Sequence, residues 1–247
     1  MKKTVIAIPA RYGSTRFPGK PLALLCGKPM IQHVYEKAAA SKAAQVVVAT
    51  DDQRIFDAVQ AFGGIAVMTS PDHPSGSDRI CEAVNGLDCD VVINVQGDEP
   101  LIPTSVIDQL IDTMSGENAP DMATVAVPGT REELAGNPNK VKVVFGTDGM
   151  ALYFSRSPIP YLREGGDDVP LYLHWGIYAY QKPVLQRFVT LPPGKLEMCE
   201  KLEQLRALEN NISIKVLLSD LQSVGVDTPE DLVQAEARMQ EEAGKCK

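Results

Sequence analysis

The sequence predicts a three-layer α/β fold: a mainly parallel, doubly wound sheet with helices on both faces, and a β-rich lobe inserted at residues 121–182. Three features of the chain predict it. Strand-sized apolar runs alternate with amphipathic segments through the first half, the order expected of repeated strand–helix units. After about Pro120 the pattern changes to closely spaced strand-like runs separated by Gly, Pro and Asn, and helical periodicity returns near residue 196. At 247 residues the chain suits one α/β domain spanning 1–247 better than two independent ones, with ample length to bury a core.

Residues 4–8 are the first β-rich run. A helix over 29–41 follows, with Pro29 in its first turn and Ile31, Val34, Tyr35 and Ala38 on one face. Residues 46–50 are the next strand. The segment 52–62 sets Ile55, Val59 and Phe62 on a common helical stripe and stops at Gly63-Gly64, where a left-handed C-cap carries no steric penalty. A strand at 65–69, a helix at 77–87, a strand at 91–95 and a helix at 104–114 complete the alternation. In the lobe, residues 122–127, 141–145, 152–155 and 174–180 read as strands, with one brief helical signal among them. A helix at 196–208, a strand at 212–218 and a last helix close the chain. Thr228-Pro229-Glu230-Asp231 opens that helix with an N-cap, a proline in the first turn and two acidic residues.

With 24 Lys+Arg against 32 Asp+Glu, the net charge of -8 argues against a general nucleic-acid surface, which needs clustered basic charge. No apolar run approaches the roughly 18 residues of a membrane span. Pro9, Arg11 and Arg16 interrupt the N-terminal apolar run too early for a signal peptide, so the expectation is a cytoplasmic protein with no membrane and no nucleic-acid partner. The cysteines Cys26, Cys81, Cys89, Cys199 and Cys246 are odd in number, scattered and without a C-x-x-C pair. They read as reduced packing thiols, neither a disulfide framework nor a zinc site.

Ligands of open α/β sheets bind beyond the carboxyl ends of the strands, which directs attention to the loops after Ile8, Thr50, Thr69 and Val95. The first, residues 9–21, carries Gly13, Ser14 and Gly19 together with Arg11, Arg16 and Lys20, the composition of a loop that wraps and neutralises a small anion. It is not a Walker A loop, because five residues separate Gly13 from Gly19 and Pro21 stands where the metal-binding hydroxyl would be; nor is it a dinucleotide-binding glycine turn. The loop after Val95 reads Gln96-Gly97-Asp98-Glu99-Pro100. Asp98, at the end of a buried strand, suits a hard cation such as Mg²⁺, and it suits a turn or cap as well. Asp227, after Val224 and Val226, is a second carboxylate whose position alone fits a turn or helix start. His33 and His73 read as structural.

Taken together, Ile8-Pro-Ala-Arg-Tyr-Gly-Ser-Thr-Arg-Phe-Pro-Gly-Lys-Pro-Leu, Ala49-Thr-Asp-Asp, Ser75-Gly-Ser-Asp-Arg79, Asn94-Val-Gln-Gly-Asp-Glu-Pro-Leu, Tyr153-Phe-Ser-Arg-Ser-Pro-Ile-Pro, His174-Trp-Gly-Ile-Tyr, Leu202-Glu-Gln-Leu-Arg and Gly225-Val-Asp-Thr-Pro-Glu-Asp-Leu resemble the 3-deoxy-manno-octulosonate (Kdo) cytidylyltransferases, also called CMP-Kdo synthetases. The resemblance runs in order through nearly the whole chain. Its first motif fits sugar nucleotidyltransferases broadly, whereas residues 174–178 and 202–206 are narrower.

The resemblance implies a nucleotidyltransferase-type sheet, a homodimer, Mg²⁺ as cofactor, and a reaction in which CTP and Kdo give CMP-Kdo and pyrophosphate for lipopolysaccharide or capsule synthesis. By the same resemblance, Arg11 and Lys20 hold the triphosphate with Arg16 beside them, Ser14 and the backbone of Ala10 and Gly13 seat the nucleotide, and Asp98 and Asp227 bind the metal. Arg11, Lys20, Asp98 and Asp227 would thus carry catalysis. Thr50, Asp51, Ser75, Gly76 and Arg79 are the candidates for the cytosine side. Gln96, Arg156, His174, Tyr178, Glu203 and Gln204 supply the guanidinium and hydrogen-bonding groups that an acid sugar requires. Singly, His174 also fits a packed ring, Tyr178 an alternating strand residue and Glu203 a solvated helix charge; Trp175 and Leu202 read as core. The 121–182 lobe fits a substrate lid and a dimer surface alike. An amino-Kdo or a sialic acid is the nearest alternative sugar, and a silent nucleotide binder on the same fold is the alternative of a different class.

Overall fold

The computed structural model describes residues 2–13, 17–163, 169–221 and 225–245. They form two compact units, residues 1–111 with 223–247, and residues 112–222. Ser14 and Arg16 of the predicted anion loop lie outside the described residues.

In the first unit β1 (Thr4–Ala10) leads through a turn of 3-10 helix at Lys20–Leu22 to a small hairpin, β2 (Leu24–Leu25) and β3 (Lys28–Pro29). Then come α1 (Met30–Ala39), β4 (Gln45–Thr50), α2 (Gln53–Ala61), β5 (Ala66–Met68), α3 (Gly76–Val84), β6 (Val91–Asn94) and the first two turns of α4 (Thr104–Ser115), whose residues from Asp112 on are counted with the second unit. The sheet order is β6-β1-β4-β5, with every pair parallel. Val5, Ile6, Ala7 and Ile8, Val47, Val48 and Ala49, and Val91, Val92 and Ile93 are wholly inaccessible. Such continuous burial is what a parallel sheet covered on both faces requires, and it explains why these strands read as unbroken apolar runs. The helix starts follow local chemistry. Asp52 accepts from the Arg54 N–H at 3.0 Å to cap α2, Ser75 accepts from the Asp78 N–H at 3.3 Å to cap α3, and Gly63 takes φ 81° just beyond α2.

The second unit contains β7 (Met122–Gly129), α5 (Arg131–Leu134), β8 (Lys142–Phe145), β9 (Ala151–Ser155), β10 (Leu171–Gln181), α6 (Lys182–Thr190), α7 (Lys195–Glu200), α8 (Gln204–Glu209) and β11 (Ile214–Leu218). Here β11 pairs parallel with β7, while β7 with β10, β10 with β8, and β8 with β9 are antiparallel. The unit therefore takes in the strand-like stretch 121–182 together with three further helices and β11. The register of β10 against β7 shifts between Trp175 and Tyr178, a bulge that re-aims the side chains on either side of Gly176.

One local expectation differs from what forms. The helix expected over 196–208 is two helices, because Lys201 adopts φ 53° at the end of α7 and stops it there. In β8, Lys142 is fully buried where alternation with Val141 and Val143 would send it to solvent. The last helix, α9 (Pro229–Lys245), belongs to the first unit. Thr228 and Asp231 cap it reciprocally, the Asp231 N–H donating to Thr228 Oγ1 at 3.2 Å and the Thr228 N–H to Asp231 Oδ2 at 2.9 Å. Ala235 and Val226 then join Leu25, Met30 and Leu101 in a buried cluster, which anchors the Gly225–Asp227 approach beside the sheet.

Candidate active site

The carboxyl ends of β1 and β6 lie side by side in the first unit, and three close backbone approaches fix the loops that leave them. A Cβ on Gly97 would sit 2.9 Å from the Pro9 carbonyl oxygen, so only glycine lets the 96–98 turn lie against the end of β1. Gly19 takes φ 71°, donates its N–H to the Tyr12 carbonyl at 2.9 Å and lies under the Tyr12 ring. The Arg54 guanidinium stacks over the other part of this arrangement, 3.3 Å from the Tyr12 ring centroid. Finally the Val226 N–H donates to the Asp98 carbonyl at 2.9 Å, tying the approach to α9 onto the loop after β6.

That last bond brings two carboxylates to one place. Lys20 Nζ donates to Asp98 Oδ2 at 2.6 Å and to Asp227 Oδ1 at 3.2 Å, linking positions far apart in the chain. The Lys20 side chain is 16% exposed, against 31% for Asp98 and 49% for Asp227, so the lysine side chain is the most enclosed of the three. The N-terminal turn of α3 lines the same pocket. A Cβ on Gly76 would touch Pro9 Cγ at 3.4 Å, so the helix starts hard against the end of β1, and its N-cap Ser75 also donates to Asp78 Oδ2 at 2.7 Å.

Arg79, one turn into α3, is buried. Its guanidinium donates to Asp51 Oδ2 at 2.7 Å, to Thr69 Oγ1 at 2.6 Å and to the Ser70 carbonyl at 3.4 Å. Thr50 is fully buried behind it and accepts the Thr69 hydroxyl on its carbonyl at 3.1 Å. From the same helix Glu82 receives the Ser70 N–H at 3.0 Å and a short hydrogen bond from the His73 ring. The His73 contact, with Ser70 behind it, holds the Glu82 carboxyl below its usual range. Arg79 and Glu82 together clamp the 69–75 loop.

These loops enclose a pocket of about 270 Å³. Of the residues singled out from the sequence, Ala10, Arg11 and Lys20, then Ser75, Gly76 and Arg79, and finally Gln96, Asp98 and Asp227 line it. Thr50 and Asp51 stand behind Arg79 and do not line it; Gly13 is exposed outside it. Arg11 is exposed at the pocket and, among the described residues, has no acidic partner, whereas Lys20 and Arg79 are each engaged by carboxylates. His73 also lines the pocket although it reads as structural in the sequence. The available signal was its place in the same loop as Ser75-Gly76. His33 is buried, with Nε2 2.7 Å from the Leu25 carbonyl, in keeping with a structural histidine.

The pocket's donor set suits a hard cation. Mg²⁺ takes one or two carboxylates and fills its remaining positions with phosphate oxygens and water. Asp98 and Asp227, already gathered around one positive charge, meet that requirement. Among the described residues there is no group of three or more His, Cys, Asp or Glu that could hold a metal with protein ligands alone.

The other predicted residues belong to the second unit. His174 and Tyr178 flank the β10 bulge with ring centroids 5.4 Å apart, and Phe154 meets His174 edge-on at 4.9 Å. Thr124 Oγ1 lies 3.0 Å from His174 Nε2 and donates to the Ile177 carbonyl at 2.7 Å. Desolvation lowers the His174 imidazole to about 3, so the ring is neutral at physiological pH. Burial, with Tyr180 and Glu203 nearby, raises the Tyr178 phenol well above its ordinary value. Gln204 is buried at the start of α8, next to the half-buried Glu203, and Trp175 and Leu202 are buried as core.

Arg156 is engaged by backbone carbonyls. Its guanidinium donates to the carbonyls of Glu200, Pro138 and Lys201 at 2.7, 3.0 and 3.3 Å. Glu200 in turn accepts from the Ser155 hydroxyl at 2.5 Å and the Arg156 N–H at 2.9 Å. The geometry makes Arg156 a tie between β9 and the end of α7, just before Glu203. Beside it the buried Lys142 donates to the Arg156 carbonyl at 2.5 Å and the Asn137 carbonyl at 3.2 Å, and burial lowers the pKa of its ammonium.

Residues 5–214 match the cytidylyltransferase family. The chain belongs to that family. A 3-deoxy-manno-octulosonate cytidylyltransferase of Thermodesulfovibrio yellowstonii is 56% identical, over 94% of this chain and 96% of its own length. An 8-amino-3,8-dideoxy-manno-octulosonate cytidylyltransferase of Shewanella halifaxensis is 53% identical, over 95% and 97%. Among solved structures, a CMP:2-keto-3-deoxy-manno-octonic acid synthetase complexed with CTP superposes with a TM-score of 0.93 at 48% identity, covering 97% of this chain and 99% of the other. A 4-diphosphocytidyl-2C-methyl-D-erythritol synthase from Anaerococcus prevotii shares the fold alone, with a TM-score of 0.63 at 13% identity over 96% of each chain. The chain is thus a cytidylyltransferase with a mainly parallel central sheet.

Proposed function

We propose that this cytidylyltransferase transfers CMP from CTP to 3-deoxy-manno-octulosonate, giving CMP-Kdo and pyrophosphate for lipopolysaccharide or capsule synthesis. The observation that carries the reading is the convergence of Lys20, Asp98 and Asp227 with the start of α3 in one strand-end pocket. The names of the relatives at 49–56% identity and of the CTP-complexed structure support the substrate pair.

The chemistry asks for positioning and charge. A sugar hydroxyl must attack the α-phosphorus in line while negative charge grows on the departing pyrophosphate. Arg11, without an acidic partner among the described residues, is free to engage phosphate oxygens, and the α3 N-terminus adds oriented N–H groups. Asp98 and Asp227 would hold Mg²⁺, whose charge offsets that on the leaving pyrophosphate. Arg79, fixed by Asp51 and Thr69, keeps the 69–75 loop rigid on the side assigned to cytosine. In the second unit the neutral His174, Tyr178 and Gln204 offer hydrogen-bonding groups suited to a polyhydroxy acid, with Glu203 beside them. The same reading includes a cytoplasmic enzyme, since CTP is made there, and a homodimer. Leu152, Tyr161 and Met198 expose apolar surface of the kind a second copy covers, and residues 121–182 serve as lid and dimer contact.

A second reading keeps the reaction and replaces Kdo by 8-amino-Kdo, because relatives of that name are 52–53% identical to this chain. Pyrophosphate release with CTP and Mg²⁺ separates the two when Kdo, 8-amino-Kdo and N-acetylneuraminate are compared, with UTP and ATP as nucleotide controls. The highest kcat/KM with CTP and Kdo is expected. A preference for either other sugar overturns the Kdo assignment, and no release from folded protein overturns the activity.

A further inference from the structure

We infer that Lys20 is a resident counter-cation for the Asp98–Asp227 pair, so that a divalent metal gains full access to the pair only when phosphate oxygens draw Lys20 away. The two carboxylates are held together by the protein whether or not a ligand is present, because the Val226 N–H bonds the Asp98 carbonyl and Val226 is itself buried beside α9. Two such charges at one point repel, and the Lys20 ammonium at 2.6 and 3.2 Å relieves that repulsion. One oxygen of each carboxylate, on the side where a shared metal would sit, is therefore already taken by the ammonium. An ammonium and a metal ion cannot share that space, so binding of one requires departure of the other.

Lysine suits the exchange. Its charge rides on a flexible four-carbon stem and makes no fixed planar fork, so Nζ can leave the carboxylates with little backbone change. Gly19 and the Lys20–Leu22 turn fix the stem's origin at the pocket wall, which limits where Nζ can go. The place within reach that gains most from a displaced ammonium is an oxyanion in the pocket that Arg11 also lines. Metal and triphosphate binding are then mutually reinforcing: the phosphates take the lysine, and the vacated carboxylates take the metal. That the triphosphate is CTP rests on the function proposed above.

The test uses nucleotide-free protein, so that its outcome is independent of turnover. Mn²⁺ is titrated while free ion is followed by electron paramagnetic resonance, with Mg²⁺ competition to establish a common site. Wild type is expected to bind Mn²⁺ weakly, and Lys20→Met at least tenfold more tightly, with Asp98→Asn added to Lys20→Met returning the affinity to the wild-type level or below. Lys20→Gln is run alongside, and the comparison uses whichever variant keeps the wild-type unfolding transition. Equal Mn²⁺ affinity of wild type and variant, including no detectable binding by either, overturns the placeholder role. Tight binding that survives Asp98→Asn overturns it as well, because the metal then sits elsewhere. Failure of CTP turnover in wild type would instead count against the proposed function and leave the metal result standing.

Discussion

The Arg79 guanidinium and the Asp51 carboxylate meet at 2.7 Å, an ion pair between a buried and a half-buried side chain that joins the first turns of α3 to the loop after β4. Arg79 also holds Thr69 and Ser70, so one side chain fixes both loops on that wall of the pocket. Removing a partner from such a pair leaves an uncompensated charge in a place water reaches poorly. Arg79→Met is expected to destabilise the protein by about 2–4 kcal/mol. Urea unfolding measures that loss, and KM for CTP should rise even in the fraction that stays folded.

Asp98→Asn removes a carboxylate while keeping size and shape. The protein should unfold near the wild-type midpoint, since the bond from Val226 to the Asp98 backbone carbonyl is kept and an amide oxygen at this position still accepts from Lys20. Turnover should fall by about 10³-fold or more, the scale seen when a charge-stabilising group is removed from a reaction centre. A Mg²⁺ titration of kcat checks it: near-normal activity at low Mg²⁺ would remove Asp98 from metal binding.

Arg11→Ala tests the cation that has no acidic partner among the described residues. Hydrogen bonds to charged groups contribute about 1.5–3 kcal/mol, so the Kd for CTP should rise roughly 10- to 100-fold, while that for CMP changes far less. Calorimetric titration of both nucleotides decides this, and equal losses would place Arg11 away from the β- and γ-phosphates.

Gly97→Ala acts through geometry alone. The new Cβ would stand 2.9 Å from the Pro9 carbonyl oxygen and push the turn that carries Asp98 off the end of β1. Misplacing a reactive constellation by a fraction of an ångström is costly, and kcat should drop about tenfold or more with Asp98 itself intact. Wild-type kcat in this variant would show that the turn has room to spare.

His174 makes stability depend on pH. Its folded pKa of about 3 lies below the ordinary imidazole value near 6.5, so below that value the unfolded chain binds a proton that the folded one refuses. Stability from this group is complete above about pH 6.5 and declines as pH falls toward 3, by up to about 2 kcal/mol at pH 5. The residue keeps a partial opening to solvent, which makes that figure a ceiling. Unfolding by urea at pH 7 and pH 5 should show a smaller pH effect in His174→Gln than in wild type.

Much of the first unit was legible because its signals are local. Unbroken apolar strands, Gly63 after α2 and the Thr228-Pro229 start of α9 each act within a few residues, and the strand-end rule led to the loops that carry Arg11, Lys20 and Asp98, whereas Ala10 and Gln96 were singled out by the resemblance. Other features depend on distant partners. Nothing near Lys201 announces a left-handed residue, since glycine usually takes that place, so one helix was expected where α7 and α8 stand. Lys142 is buried because carbonyls of Asn137 and Arg156 happen to receive it, and β-alternation cannot foresee acceptors. Arg156 lies in a motif whose chemistry suggests an acid sugar, yet its donors go to the carbonyls that close α7. His73 beside Pro74 reads as structural, and its bond to Glu82 depends on a helix residue nine positions on that the local sequence does not announce.

The proposal that this pocket transfers a cytidylyl group is tested most directly by following CTP, Kdo and Mg²⁺ with the enzyme by ³¹P NMR. Cleavage between the α- and β-phosphates should give pyrophosphate and a sugar-linked CMP phosphodiester in equal amounts. Orthophosphate with CDP, or pyrophosphate with free CMP and unmodified Kdo, would contradict it.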